Sequence, residues 1–494
     1  MTKPAQPPCS PNANPVEDAR LLATAWRSLQ AYDPLLRRLA SAFEGAGEEL
    51  YLVGGSVRDA FLGRVSPDVD FTTSARPQRI VELLRPLAST VWETGIDYGT
   101  VSALVEGTEV EITTFRADQY DGQSRNPEVT YGNSVAEDLV RRDFRVNAMA
   151  LRLSPDGQHD FVDPLGGLQD AARQVLDTPD APQVSFRDDP LRMLRACRFV
   201  SQIGFDANPG VTRAMREMAE EITRITAERV AAELNKLMLG AEPWRGLDLM
   251  VETGLAEYIM PELPALKLTQ DEHRTHKDVY AHSLRVLRNA VELERDRGVK
   301  PNLELRWAAL MHDVGKPATR AFTESGAVTF YHHEVVGAKM VRKRLRALKF
   351  SKQHIADISQ LVFLHMRFHG YGEGAWTDSA VRRYVADAGD LLPLLHLLVR
   401  ADCTTRNRRK SERLQRTYDG LEERIAQLRE QEDLAAVRPD LDGNEIMREL
   451  GVRPGPVVGE AWAYLKELRL DRGPLGREEA LAELRAWWQR RQEE

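Results

Sequence analysis

The chain reads Leu52-Val53-Gly54-Gly55-Ser56-Val57-Arg58-Asp59 and, shortly after, Asp68-Val69-Asp70-Phe71-Thr72-Thr73. In the first run an apolar strand enters two glycines and then a helical stretch. Glycines let the backbone approach a ligand closely, and a helix start offers free N–H groups and the positive end of its dipole. Arg58, near the first turn, is placed to reach a phosphate. In the second run, residues i and i+2 of a strand face the same side, so Asp68 and Asp70 point together. Two carboxylates so placed repel each other unless a cation lies between them. Hard oxygen ligands suit Mg2+. Each motif alone has a plainer reading: a simple strand–helix connection for the glycines, and a polar strand edge for the aspartates.

Outward from this stretch, β-rich runs at Leu50–Val53, Asp68–Thr73, Thr100–Val105 and Glu109–Phe115 alternate with turns and helical segments, which predicts an α/β head. A short amphipathic helix is expected over residues 31–46. From Asp189 onward the chain reads almost wholly helical, with Gly and Pro punctuation near 204–210, 240–243, 261–264, 370–374 and 451–456. The expected fold class is an α/β head followed by all-α neck, middle and C-terminal regions. The expected division is a disordered tail over 1–30, the head over 31–180, a helical neck over 181–265, a middle domain over 266–405 and a helical C-terminal arm over 406–494.

At 494 residues there is room for several domains. No apolar run approaches the roughly 20 residues of a membrane span. Met1 to Asn14 is rich in Pro, Ser and Asn and lacks the apolar core of a signal peptide, so disorder is expected there. Cys9, Cys197 and Cys403 lie far apart with no C-x-x-C pair, which fits a reducing cytoplasm. A net charge of −8 argues at face value against nucleic acid. Yet Val336 to Asp419 holds seventeen Lys/Arg against eight Asp/Glu, either a nucleic-acid footprint or a solvated helix face.

The full string from Leu52 to Phe71 resembles the nucleotidyltransferase superfamily and, more narrowly, the bacterial and eukaryotic-type tRNA nucleotidyltransferases and their relatives, the bacterial poly(A) polymerases. The resemblance implies that Gly54, Gly55 and Arg58 receive nucleotide phosphates and that Asp68 and Asp70 hold Mg2+ and carry catalysis. Glu111-Ile112-Thr113-Thr114-Phe115-Arg116 resembles the strand that follows in the family. Glu109 and Glu111 share a face, and Glu111 would add a third carboxylate. Glu137-Asp138-Leu139-Val140-Arg141-Arg142-Asp143-Phe144-Arg145-Val146-Asn147-Ala148 resembles the family motif for ribose and triphosphate contacts. It implies that Arg142 touches the nucleotide and that Asp143 helps select a ribose with a 2′-hydroxyl. On its own, Arg141-Arg142-Asp143 reads as a surface ion cluster. Asp163-Pro164-Leu165-Gly166-Gly167 resembles the family's hinge between head and neck.

Asp188-Asp189-Pro190-Leu191-Arg192-Met193-Leu194-Arg195-Ala196-Cys197-Arg198-Phe199 opens a helix. Asp189 before Pro190 reads as a cap plus first-turn proline. A second reading competes with the first. Asp189 and Arg192 lie three apart on one face, and a carboxylate only accepts where a guanidinium only donates. Cytosine and adenine each show an amine donor beside a ring-nitrogen acceptor, while uracil and guanine show the reverse. Such a pair admits CTP and ATP and rejects UTP and GTP. The family motif that this string resembles is used in that way, usually with Glu at the position of Asp188, where this chain departs. Arg195 and Arg198 match family positions that contact the nucleotide. Glu228-Arg229-Val230 and Glu233-Leu234 resemble the next neck motif and read as structural.

Further on come His282, then His312-Asp313, then His332, His333 and His365, then Asp402. Imidazole and carboxylate groups on several helices suit a divalent metal. A lone helical histidine is more often structural. The adjacent His-Asp resembles HD-domain phosphohydrolases, which implies His282, His312, Asp313 and Asp402 as ligands, with His333 and His365 completing a second site.

The expected activity is template-independent addition of CMP and AMP to the tRNA 3′ end from CTP and ATP, with release of pyrophosphate, in the cytoplasm and away from membranes. Lys339–Lys349 and Arg406–Arg416 would hold tRNA phosphates, and Ala117 to Val135 resembles the family's lever loop. Two alternatives stay open: a poly(A) polymerase, or a metal-dependent HD phosphohydrolase with an RNA-binding head. The sequence does not set the oligomeric state.

Overall fold

The computed structural model describes residues 15–65, 69–116, 130–268, 278–324, 328–368, 376–404, 408–432 and 438–493. Asp68, most of the expected lever loop and Arg406 therefore lie outside the described residues. The chain forms two compact units, Met1–Glu233 with Arg245–Ile259, and Leu234–Trp244 with Met260–Glu494.

The first unit is built on a mixed seven-stranded sheet. Its strands are β1 (Leu50–Val53), β2 (Val69–Thr73), β3 (Thr90–Trp92), β4 (Thr100–Val105), β5 (Thr108–Thr114), β6 (Ala150–Arg152) and β7 (Asp160–Val162), in the order β3-β4-β5-β2-β1-β6-β7. Only β2 and β5 run parallel. The β4–β5 hairpin turns on Glu106 and Gly107, both with positive φ (51° and 80°), a pairing whose twist suits a two-residue connection. Along β5 the alternation is clean: Val110, Ile112 and Thr114 are buried, and Glu109 and Glu111 face out. Leu39 and Phe43 of helix Asp33–Glu44 pack with Leu52, Phe71, Ile80, Val101 and Ile112 to form the core. One sheet face is thus closed by apolar contacts, and the central pair β2/β5 offers its polar positions on the other.

The structure corrects the expected tail at its inner end. Pro15–Leu29 is a helix that packs against helix Gly55–Phe61, with Ala25 and Leu29 buried. The reason is visible in its spacing: Leu21, Leu22, Ala25, Trp26 and Leu29 form an apolar stripe on one helical face. The three-residue strands β3, β6 and β7 are too short to show a period of two and were not expected.

Beyond the sheet, helices Pro182–Asp188, Leu191–Ile203 and Pro209–Met218 follow. Helix Leu191–Ile203 stops at Gly204, whose left-handed φ of 79° lets its N–H reach back to the Val200 carbonyl.

The second unit is helical apart from a short ladder at Ala321–Phe322 and Val328–Thr329. Helix Leu303–Met311 runs through its centre, and residues 305–311 are all buried. Its Arg306 pairs with buried Glu294 at 2.7 Å and donates to the carbonyls of Met238 and Gly240, so the buried charge is matched and hydrogen-bonded. The last three helices, Gly443–Leu450, Pro456–Arg472 and Arg477–Glu493, share a small core of Leu441, Ile446, Ala461, Leu465 and Leu484. Among the described residues no helix is long and apolar enough to cross a membrane.

Candidate active site

In the head, Asp70 on β2 and Glu111 on β5 are direct partners in the parallel ladder. Residues paired in this way share a face, so two carboxylates stand side by side. The glycine turn is tied to the same place, because the Asp70 backbone N–H donates to the Ser56 hydroxyl at 3.4 Å. Gly54 adopts φ 72°, and a Cβ there would lie 3.0 Å from Arg142 Nη1 and 3.9 Å from Asp70 Oδ2. A side chain at residue 54 would therefore occupy the space where a carboxylate and a guanidinium converge. Paired carboxylate oxygens around an open cradle fit a hard divalent cation.

Arg142 is aimed by Asp138, four residues earlier and almost fully buried. Asp138 Oδ2 accepts from Arg142 Nη2 at 3.0 Å, and Oδ1 accepts from the Arg116 backbone N–H at 3.3 Å. Behind this lies a buried chain. Arg58 donates to Asn147 Oδ1 at 2.6 Å, Asn147 donates to Asp143 Oδ1 at 2.8 Å, and Arg195 donates to Asp143 Oδ2 through two nitrogens at 2.9 and 2.5 Å. Burial works to raise the Asp143 pKa, but Arg195 and Asn147 outweigh it and hold it down at about 2. Arg198 pairs with Glu233 at 3.1 Å, and burial draws its pKa down to about 10. Asp143, Arg58, Arg195 and Arg198 are thus gathered into one network.

Of the two readings of Asp189, the geometry shows the contacts of the cap. Its Oδ1 accepts from the Leu191 backbone N–H at 3.1 Å, a capping bond. Its Oδ2 takes Arg229 Nη2 at 3.1 Å. Arg192 donates to Ser185 Oγ at 2.8 Å and to the Arg141 carbonyl at 2.6 Å, which links it to the Arg141-Arg142 motif. Asp163 caps helix Gly167–Arg173 by accepting from the Gly167 and Leu168 N–H groups.

In the second unit, ligand-type atoms fall into two groups, His282, His312 and Asp402 in one and Asp313, His333 and His365 in the other. Asp313 joins them: Oδ2 lies 3.1 Å from His312 Nε2, and Oδ1 lies 3.3 Å from His333 Nε2. His282 Nε2 is 3.0 Å from Asp402 Oδ1. The local folding explains the aim of the rings. His312, His365 and Asp402 each sit just past a helix C-terminus. There, His312 and His365 direct Nδ1 at carbonyls three residues back, Ala309 at 3.0 Å and Val362 at 2.6 Å. His333 does the same with Phe330 at 2.9 Å. A carbonyl only accepts, so each Nδ1 carries the proton and each Nε2 of a neutral ring turns a lone pair inward. His333 Nε2 and His365 Nε2 face each other at 3.3 Å, and His282 Nε2 and His312 Nε2 at 3.2 Å. In that tautomer the His333 and His365 lone pairs would repel at such a separation, and a cation between them would remove the conflict; the donor set of both groups suits a transition-type divalent metal. Burial pushes His365 down to about 3. Burial also works against the charged form of His312, but Asp313 outweighs it and raises His312 to about 9. His332, one residue from His333, is exposed with φ 60° and turns the chain into the helix.

Asp138, Asn147, Glu233 and Arg229 were not read from the sequence as parts of these sites. Asp138 and Asn147 each stand four residues from a named site residue, a signal within reach. Glu233 and Arg229 join the network from more than 30 residues away, which spacing does not reveal.

Residues 50–177 match the poly A polymerase head domain, 204–266 the probable RNA and SrmB-binding site of polymerase A, and 279–407 the HD domain. The A-adding tRNA nucleotidyltransferase of Deinococcus radiodurans is 34% identical over 453 residues, covering 90% of this chain and 95% of that one. The CCA-adding enzyme of Lacticaseibacillus paracasei is 42% identical over 226 residues, a match that spans 46% of this chain and about half, 54%, of that relative's length. A crystal structure of the Bacillus stearothermophilus CCA-adding enzyme in complex with CTP superposes with a TM-score of 0.69 at 25% identity, covering 94% of this chain and 99% of that one. The chain belongs to the tRNA nucleotidyltransferase and poly(A) polymerase family, here with an HD domain.

Proposed function

We propose that this protein adds CMP and AMP to the 3′ end of tRNA, in CCA order, from CTP and ATP with release of pyrophosphate, and does so in the cytoplasm. The observation that carries this reading is the Asp70–Glu111 pair beside the Gly54 cradle and Arg142. Relatives that resemble the chain over most of its length are named A-adding and CCA-adding enzymes, which supports a tRNA 3′ end as substrate. Asp70, with Asp68 and Glu111, would hold Mg2+. Bound there, the ion supplies Lewis-acid stabilisation for an in-line displacement at the α-phosphorus. Backbone N–H groups at Gly54 and Gly55, with Arg142 and Arg58, receive the triphosphate. Asp143 holds Arg195 in place and, as the resemblance implies, would help select a ribose with a 2′-hydroxyl. Asp189 and Arg192 read the base. Exposed Lys339, Arg342, Lys343, Arg346 and Lys349, with Arg409, Arg413 and Arg416, hold tRNA phosphates.

The HD cluster favours a second activity, metal-dependent phosphoester hydrolysis. The inward Nε2 atoms joined by Asp313 support it. Nucleotide addition by the wild type and by Asp68→Ala tests the first reading: addition by the wild type and none by the variant, with the fold intact, is expected. Metal-dependent phosphatase activity lost in His312→Ala, with addition retained, tests the second.

A further inference from the structure

Helix Leu191–Ile203 carries a buried aromatic ring to which no role has been attached. Phe199 is 3% exposed. Three guanidinium carbons lie near its ring centroid: Arg198 at 4.3 Å, Arg58 at 5.2 Å and Arg195 at 6.0 Å. Fully buried Phe144 meets the ring edge-on, with centroids 5.6 Å apart and planes at 87°, and fixes its orientation. Three like charges gathered so closely repel one another. Asp143, Glu233 and Asp59 each take one of them. A carboxylate partner cancels charge and consumes N–H donors. An aromatic face attracts a cation and does neither.

We propose that Phe199 is a positioning residue for the nucleotide triphosphate, its ring gathering Arg58, Arg195 and Arg198 into one cationic surface that receives the phosphates. This inference rests on the nucleotidyl-transfer reading above. Arg58 comes from the helix that begins at the Gly54-Gly55 turn, and Arg195 and Arg198 come from the helix that carries Arg192. Phe199 is the one group that all three contact in common among the described interactions. An aliphatic side chain fills the same space but lacks the quadrupole that draws the three cations to one ring.

The test uses the full chain with Phe199→Leu, Phe199→Met and Phe199→Tyr, each checked by thermal melting. The readouts are the Kd of tripolyphosphate and the KM and kcat for CTP and ATP. The Leu and Met variants should raise the tripolyphosphate Kd and both KM values by about tenfold, the loss of one or two such contacts, with kcat little changed. The Tyr variant, which keeps the ring face, should restore wild-type values. Tripolyphosphate has no base or sugar, so a merely loosened base pocket would leave its affinity unmoved. If the Leu variant does not fold, the Met variant, whose flexible chain adapts to the same space, decides. Unchanged tripolyphosphate affinity in a folded Leu or Met variant overturns the proposal. A wild type that adds no nucleotide overturns the transfer reading instead, and the tripolyphosphate affinities still decide this one.

Discussion

Asp70 and Glu111 stand opposite one another on adjacent parallel strands at the centre of the head sheet. Like charges in direct cross-strand register destabilise a sheet. The neighbouring residues Phe71 and Ile112 form a fully apolar pair on the other face. The acidic pair is therefore a local conflict inside an otherwise consistent sheet, and such conflicts mark functional positions.

Asp70→Asn removes one of the two charges and with it their mutual repulsion. The metal-free variant should melt at or slightly above the wild-type temperature, while nucleotide addition falls by about 10³-fold or more. Calorimetry and a single-turnover addition assay measure the two. Activity within tenfold of wild type would sink the site assignment.

Asp189→Ala separates the two uses of one carboxylate. Loss of the bond to the Leu191 N–H should cost about 1 kcal/mol of stability. If Asp189 also reads the base, preference for CTP over UTP should fall by about 100-fold or more. A lower melting temperature with nucleotide preference intact leaves only the cap.

In the HD cluster, Gly315 lets two backbones touch: a Cβ there would sit 2.1 Å from the His333 carbonyl oxygen. Gly315→Ala should displace His333, and Asp313→Ala should remove the carboxylate that joins the two groups. Both variants should lose bound Ni2+ or Mn2+ in equilibrium dialysis while retaining nucleotide addition. Full metal occupancy in Asp313→Ala would contradict the assignment.

Asp170 is 8% exposed, and its Oδ2 has no hydrogen-bond partner among the described residues. Burial raises its pKa from 3.8 to about 6, with Arg145 opposing and Asp177 and Asp163 reinforcing. The folded state therefore favours the protonated form. Stability from this group is complete below about pH 4, is lost as pH rises towards 6, and stays lower above. The difference corresponds to up to about 3 kcal/mol. Asp170→Asn should raise the melting temperature at pH 8 and leave it nearly unchanged at pH 4. An equal effect at both values would mean that the charge is not the cause.

Much of this was legible in the sequence where function and local structure share the same residues. The run from Leu52 to Phe71 holds a strand, a positive-φ turn and the start of the next strand, and each follows from residue type. The faces of β5 follow from simple alternation. The N-terminal helix was hidden behind a Pro-rich leader, although its apolar stripe was present. Three-residue strands carry no readable period, and only the tertiary contacts with β1 make β6 a strand. The network from Arg58 through Asn147 and Asp143 to Arg195 joins segments that only the folded chain brings together. The histidines and aspartates of the HD cluster were named by resemblance, but the place of Asp313 between the two groups depends on where its two oxygens point.

The most direct test of the central claim is nucleotide addition on tRNA transcripts ending before CCA, after C and after CC. CTP and ATP are supplied separately and together, and the 3′ ends are sequenced. Products completed to CCA and stopping there are predicted. Long A tracts on unrelated RNAs, no addition on any transcript, or addition of A alone to the CC end would contradict it.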